Sequence, residues 1–130
     1  MASGVSRLAI VERPVDEVTV LVFTGEILLD DGDLALRKKI HELTEKGQVK
    51  IVADLAGVTY IDSSGIGMLV AKVGTVRQKG GDIKLVRLTR RTQTLLATLK
   101  LVMVFETFED EAAAVRSFSW RGRAGDAGNR

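Results

Sequence analysis

The stretch Val49–Val73, V-K-I-V-A-D-L-A-G-V-T-Y-I-D-S-S-G-I-G-M-L-V-A-K-V, joins two kinds of periodicity. Its first part, Val49–Leu55, is a nearly continuous run of apolar and β-branched residues, the pattern of a buried central strand. A short turn follows, and Val58-Thr59-Tyr60-Ile61 reads as strand again. From Ile66 the apolar residues fall at helical spacing: Ile66, Leu69, Val70, Val73 and Val76 form one stripe. Asp62-Ser63-Ser64-Gly65 stands at the changeover. Asp62 is placed as an N-cap whose carboxylate accepts from the free N–H groups of the first turn. Ser63 and Ser64 then lie at the positive end of a helix dipole, where an anion is favoured. A phosphate added to either hydroxyl would be tolerated there. Ser and Asp before a helix also occur simply as caps, and the tetrapeptide alone leaves both readings open.

Outward from this junction the chain alternates strand and helix. Arg7–Val11 is a short first strand and Glu12–Glu17, holding the only proline, a turn. In Val18–Thr24, Val18, Val20 and Val22 alternate with Leu21 and Phe23. Asp30–Asp33 suits a helix start, and Leu36, Ile40 and Leu43 recur at helical spacing up to Gly47. The helix after Ser63 extends to about Lys79, with Gly67 and Gly74 on one side, spaced for close packing against a sheet. Ile83–Leu88 is the next strand, Thr89–Leu99 a helix with Leu95, Leu96 and Leu99 inward, and Val102–Phe105 a short strand. Glu109-Asp110-Glu111 puts acid at the start of a last helix, where the dipole favours it, with Ala112, Val115 and Phe118 inward. The order ββαβαβαβα predicts an α/β fold: a mixed sheet of four to five strands, the later ones parallel, flanked by about four helices. Sites in such sheets lie at strand-to-helix loops, and Asp62–Gly65 is one.

Length and composition fit a single domain over residues 7–118, with 1–6 and the Gly/Arg-rich 119–130 read as disordered ends. The tail from Ser119 carries three arginines and one aspartate and accounts for the whole net charge of +2. The folded part is neutral, which argues against direct nucleic-acid binding. No apolar run reaches membrane-spanning length and no secretory signal is visible, so no membrane insertion is expected. There is no cysteine, compatible with a cytoplasmic location.

Catalytic and metal-binding patterns are missing. The single histidine, His41, falls on the polar side of a surface helix. Ile61–Gly67 (I-D-S-S-G-I-G) lacks the preceding glycine of a G-x-S-x-G nucleophile elbow. Gly65-x-Gly67 has Val70 where a dinucleotide loop needs its third glycine. One histidine and no cysteine make a zinc site a poor fit. No catalytic residue, metal or cofactor is expected, and the protein reads as a non-enzyme.

D-S-S-G at a strand end, followed by G-I-G-M-L-V, then Q-K-G-G-D-I-K-L-V (Gln78–Val86) and F-E-T-F-E-D-E-A-A-A (Phe105–Ala114), resembles a STAS domain. T-G-E-I at Thr24–Ile27 fits as well. The resemblance covers roughly residues 7–118 and is closest to the bacterial anti-sigma factor antagonists. It implies a partner-switching mechanism. The unmodified antagonist binds an anti-sigma factor that is also a serine kinase of the GHKL ATPase type, and so frees a sigma factor. The kinase phosphorylates the serine after the motif aspartate, here Ser63 with Ser64 as second choice, and a PP2C-type phosphatase reverses it. Asp62, Ser64 and Gly65 carry over as flanking motif and cap positions. Met68 and Lys72, read as facing away from the buried stripe, are the candidate partner contacts.

Two positions depart from the family pattern. Leu28 stands where an aspartate often follows the G-E-[apolar] of the second strand, with Asp30 and Asp31 downstream. Lys100 stands where a glycine often ends the third helix, so that the helix ends differently or Lys100 takes a left-handed conformation. Two other functions fit the residues less fully: a STAS subunit of a stressosome-like scaffold or lipid-transport complex that is never phosphorylated, and a nucleotide-binding module using Gly65, Gly67 and the helix start.

Overall fold

The computed structural model describes residues 7–28 and 31–127. Nine elements follow in order: β1 (Leu8–Val15), β2 (Val18–Ile27), α1 (Asp31–Glu45), β3 (Lys50–Ile61), α2 (Ser63–Gln78), β4 (Asp82–Val86), α3 (Arg90–Thr98), β5 (Thr107–Phe108) and α4 (Glu111–Ala127). They form one five-stranded sheet in the order β1-β2-β3-β4-β5. The β1–β2 pair is antiparallel and the other three pairs are parallel. This is the mixed sheet and the ββαβαβαβα order that the hydrophobic periodicity predicts.

Strand alternation sorts the core into two layers. Leu21, Phe23, Ile51, Ala53, Ile83 and Leu85 face α1, α2 and α3, and pack with Leu36, Ile40, Leu43, Ile66, Leu69 and Leu96. The intervening Val18, Val20, Val52 and Val86 face α4, against Ala114 and Phe118. A period of two on sheet residues produces both layers. In α4 Ala114 is buried and Ala112 exposed, reversing the expected orientation of that turn.

Several boundaries differ from the sequence reading: β2 runs through Gly25 to Ile27, β4 is Asp82–Val86 rather than Ile83–Leu88, and four further differences bear on the fold. β1 runs through Pro14 to Val15, leaving a two-residue Asp16-Glu17 turn with Asp16 at φ 57°. Proline is tolerated because β1 is an edge strand. β3 is continuous through the expected turn at Ala56-Gly57, where a register irregularity against β2 absorbs the extra residue. Residues 102–105 are not a strand. Val104 N donates to the Leu101 carbonyl at 3.0 Å, Phe105 enters the core, and Met103 is 91% exposed; the edge strand is Thr107–Phe108 instead. Last, α4 continues past Phe118 to Ala127, over residues read as a disordered tail. Residues 1–6 and 128–130 lie outside the described residues.

The α4 face carries the charges that the fold buries. Asp54 is buried and held by Arg87, from Nε at 3.3 Å and from Nη2 on its second oxygen. Arg13 pairs with Glu111 through two hydrogen bonds, 3.0 and 2.6 Å, which hold the Glu111 carboxyl below the usual carboxylate range. Lys84 is fully buried: its Nζ donates to Ser117 Oγ at 2.6 Å, lies 3.0 Å from Glu106 and sits 4.2 Å from the centre of the Phe118 ring. Ion pairs and hydrogen bonds offset the cost of burying Asp54 and Lys84, while the Arg13–Glu111 pair stays at the surface.

Lys100 takes the left-handed conformation, φ 61°. Leu101 N donates to the Leu96 carbonyl at 2.8 Å and Lys100 N to Ala97 at 3.0 Å, a Schellman ending with lysine in the glycine position. A non-glycine residue there costs about 1 kcal/mol. Lys100→Gly is therefore expected to stabilise the protein by about 1 kcal/mol, read as a higher urea midpoint with unchanged slope.

Candidate functional site

β3 outruns β4. Lys50–Asp54 pair with Asp82–Val86, whereas Gly57–Ile61 pair with β2 alone among the described residues. The chain leaves this projecting end at Asp62, in extended conformation (φ −119°, ψ −173°), and enters α2. Asp62 Oδ1 accepts from Gly65 N at 2.9 Å and its carbonyl accepts from Ile66 N at 3.0 Å. Asp62 is thus the N-cap that its position predicts.

Gly65 is the tight point. A Cβ at this position would overlap the Ile27 carbonyl oxygen and come 2.9 Å from Ile61 Cγ1. The first turn of α2 therefore rests directly on the ends of β2 and β3. Gly67 and Gly74, expected to pack on the sheet, do the opposite: both are exposed, and a Cβ on either would meet nothing within 4 Å. The helical stripe runs Gly65, Ile66, Leu69, Val73 and Val76, and these are buried as expected apart from Val70, which is half-buried.

Ser63 and Ser64, the first two residues of α2, are exposed. Neither hydroxyl has a hydrogen-bond partner among the described residues. Met68 does not join them. It is 4% exposed and belongs to the main core, so the buried arc of α2 is wider than one stripe. As a partner contact Met68 is ruled out by burial. Lys72 is half-buried, about 13 Å along the helix from Ser63. The outward face of α2 consists instead of Ser63, Ser64, Gly67, Ala71, Gly74 and Thr75.

One residue beside the site was missed by the sequence reading. Arg91, in the first turn of α3, reaches the unpaired edge of β3. Its Nε donates to the Ile61 carbonyl at 3.3 Å and its guanidinium lies 4.6 Å from the centre of the Tyr60 ring. The available signal was two consecutive arginines at a helix start, where the dipole disfavours cations. Elsewhere His41 is exposed on α1, the Asp54 carboxylate is taken by Arg87, and no described group of three or more His, Asp or Glu could hold a metal. No helix among the described residues is long and apolar enough to cross a membrane. What the site offers chemically is a pair of exposed hydroxyls on a rigid, capped helix start.

The two glycines make opposite predictions. Gly65→Ala forces α2 away from Ile27 and is expected to destabilise by several kcal/mol, of order 3. Gly67→Ala adds a methyl in open space on a helix and is expected to stabilise by about 1 kcal/mol. Chemical denaturation of the two variants beside the unsubstituted protein checks both.

The STAS domain model matches residues 10–114. The anti-sigma F factor antagonist of Paenibacillus polymyxa is 24% identical over 99 residues, covering 75% of this chain and 84% of the relative. Among solved structures, an anti-sigma factor antagonist from Mycobacterium paratuberculosis superposes with a TM-score of 0.73 at 21% identity, covering 85% of this chain and 92% of that one. The phosphorylated form of the Bacillus cell fate determinant SpoIIAA superposes with a TM-score of 0.64 at 20% identity, covering 83% and 98%. With the family match over most of its length, and with the fold and the D-S-S-G junction in place, this chain belongs to the STAS domain family.

Proposed function

We propose that this protein is an anti-sigma factor antagonist of a partner-switching pathway, controlled by phosphorylation of Ser63. The observation that carries the reading is the exposure of Ser63 on a capped helix start that the fold holds rigid. A relative from Paenibacillus polymyxa bears the antagonist name, and one structural neighbour is a phosphorylated form. In this reading the partner is an anti-sigma factor that doubles as a GHKL-type serine kinase. It binds the unmodified face and releases its sigma factor. Ser63 Oγ attacks the γ-phosphorus of the kinase's ATP, the hydroxyl proton leaves to a base on the kinase, and ADP departs. A PP2C-type phosphatase hydrolyses the ester and resets the switch. The kinase step draws on ATP and the released factor is a sigma factor, so in this reading the protein acts in the cytoplasm.

The face of α2 suits such a partner. Ser63, Ser64, Gly67, Ala71 and Gly74 present no large side chain, so a partner's backbone can approach closely, with Lys72 as a flanking contact. A phosphate on Ser63 adds about −1.5 to −2 charges. The antagonist's own fold tolerates it at the start of α2, with up to about 1 kcal/mol of favourable dipole interaction. An apolar or acidic partner surface does not, since like charges at an interface cost several kcal/mol. At about 1.4 kcal/mol per tenfold, the loss of affinity is roughly a hundredfold. No large change in the antagonist is required.

Calorimetry with the kinase that co-purifies with the unsubstituted protein tests this. Ser63→Asp is expected to keep a native circular-dichroism spectrum while binding roughly a hundredfold more weakly. Ser63→Ala is expected to bind as the unmodified protein does and to take no phosphate. Equal binding by Ser63→Asp refutes the charge switch, and continued phosphorylation of Ser63→Ala moves the site to Ser64.

A further inference from the structure

Neutrality of the fold conceals a concentration of one sign. Between Lys84 and Glu106 there is no acidic residue, while the segment holds Arg87, Arg90, Arg91 and Lys100. Arg87 is committed to Asp54. Arg90 and Arg91 occupy the first turn of α3, where cations work against the helix dipole. Neither is needed to start that helix, because Thr89 caps it, its Oγ1 accepting from Thr92 N at 3.1 Å. With Thr94, Leu95 and Thr98, the two arginines line an open groove of about 430 Å³ that no acidic residue enters. Leu95 is half-buried and supplies apolar surface. Arg91 is steadied by its bond to the Ile61 carbonyl and its position over Tyr60. No described residue takes a hydrogen bond from its Nη groups, which leaves them for a carboxylate.

We propose that this groove docks an acidic amphipathic segment of the protein partner, its carboxylates pairing with Arg90 and Arg91 and an apolar side chain resting on Leu95. The proposal rests on the reading of this end of the molecule as the partner-binding end, and it names the chemistry that selects the partner. Exposed ion pairs are individually weak, so the apolar contact supplies affinity and the arginines supply selection by sign. The groove lies beside the switch: Arg91 is bonded to Ile61, two residues before Ser63, and two residues span at most about 7 Å. Two arginines one turn before a half-buried leucine fit a peptide better than a nucleic acid, which is held by a longer run of cations along its phosphates.

The test is an NMR titration of the full-length, unphosphorylated, ¹⁵N-labelled protein with two synthetic helical peptides of roughly fourteen residues. Both carry the same leucine stripe; one has glutamates on the polar face and the other glutamines. The glutamate peptide is expected to move the amides of residues 90–98 saturably and to bind at least about tenfold more tightly than the glutamine peptide at low salt. Arg90→Glu with Arg91→Glu is expected to abolish that preference while resonances away from α3 and from Tyr60–Ile61, which Arg91 touches, stay in place. Equal binding of the two peptides, shifts centred elsewhere, or no binding overturns the proposal. So does a groove that responds to protein concentration alone, to anionic vesicles or to single-stranded RNA in preference to the glutamate peptide. No kinase is present, so a failed Ser63 switch leaves this result standing, and a failed groove leaves the Ser63→Asp result standing.

Discussion

The contact between Gly65 and the end of β2 sets the geometry on which the rest of this structure depends. Only a residue without a Cβ lets the first turn of α2 lie against the Ile27 carbonyl. Once it lies there, the Asp62 carboxylate meets Gly65 N and closes the cap. The rotation of the helix is then determined: Ile66, Leu69, Val73 and Val76 point into the core, and Ser63, Ser64, Gly67, Ala71 and Gly74 point out. Exposure of the serines is thus a consequence of packing on the other side of the same helix. A change at Gly65 would disturb the functional face without touching it.

The buried charges are used within the fold. Asp54 is neutralised by Arg87, and Lys84 lies under α4 between Ser117, Glu106 and Phe118. The first ties β3 to the end of β4, and the second ties β4 to α4. The exposed serines of α2, by contrast, have no partner among the described residues. That division suits a protein whose hydroxyl is another enzyme's substrate and whose surface is read by a partner.

Most of the architecture was legible in the sequence because the periodicities are clean. Val18–Phe23 and Ile83–Leu85 alternate, Leu36, Ile40 and Leu43 are helical, and Asp62 caps a helix with apolar residues behind it. The capping role of Asp62 followed from local chemistry alone, and the left-handed turn at Lys100 is one of the two endings that the departure from the family pattern left open. Readings that failed depended on tertiary context. Met68 lies off the main stripe, and its place in the main core comes from tertiary packing that residue spacing alone does not give. Gly67 and Gly74 were given the packing role that belongs to Gly65, since glycine spacing does not say which face meets the sheet. The apolar run at Val102–Phe105 resembles a strand, yet the Schellman turn before it redirects the chain and leaves Val102 and Met103 exposed. Arg91 was overlooked because its significance lies in reaching β3 from another element.

The central claim is that Ser63 is a phosphorylation switch read by a partner at the start of α2. The most direct measurement is phosphopeptide mass spectrometry of the protein recovered from its own cells under several growth conditions, with the co-purifying proteins identified. The account predicts phosphate on Ser63 that varies with condition, and a GHKL-type ATPase recovered with the unphosphorylated form. A protein unmodified under every condition and held instead by scaffold or transporter subunits would contradict it, and would leave Asp62–Gly65 as a helix cap and docking surface alone.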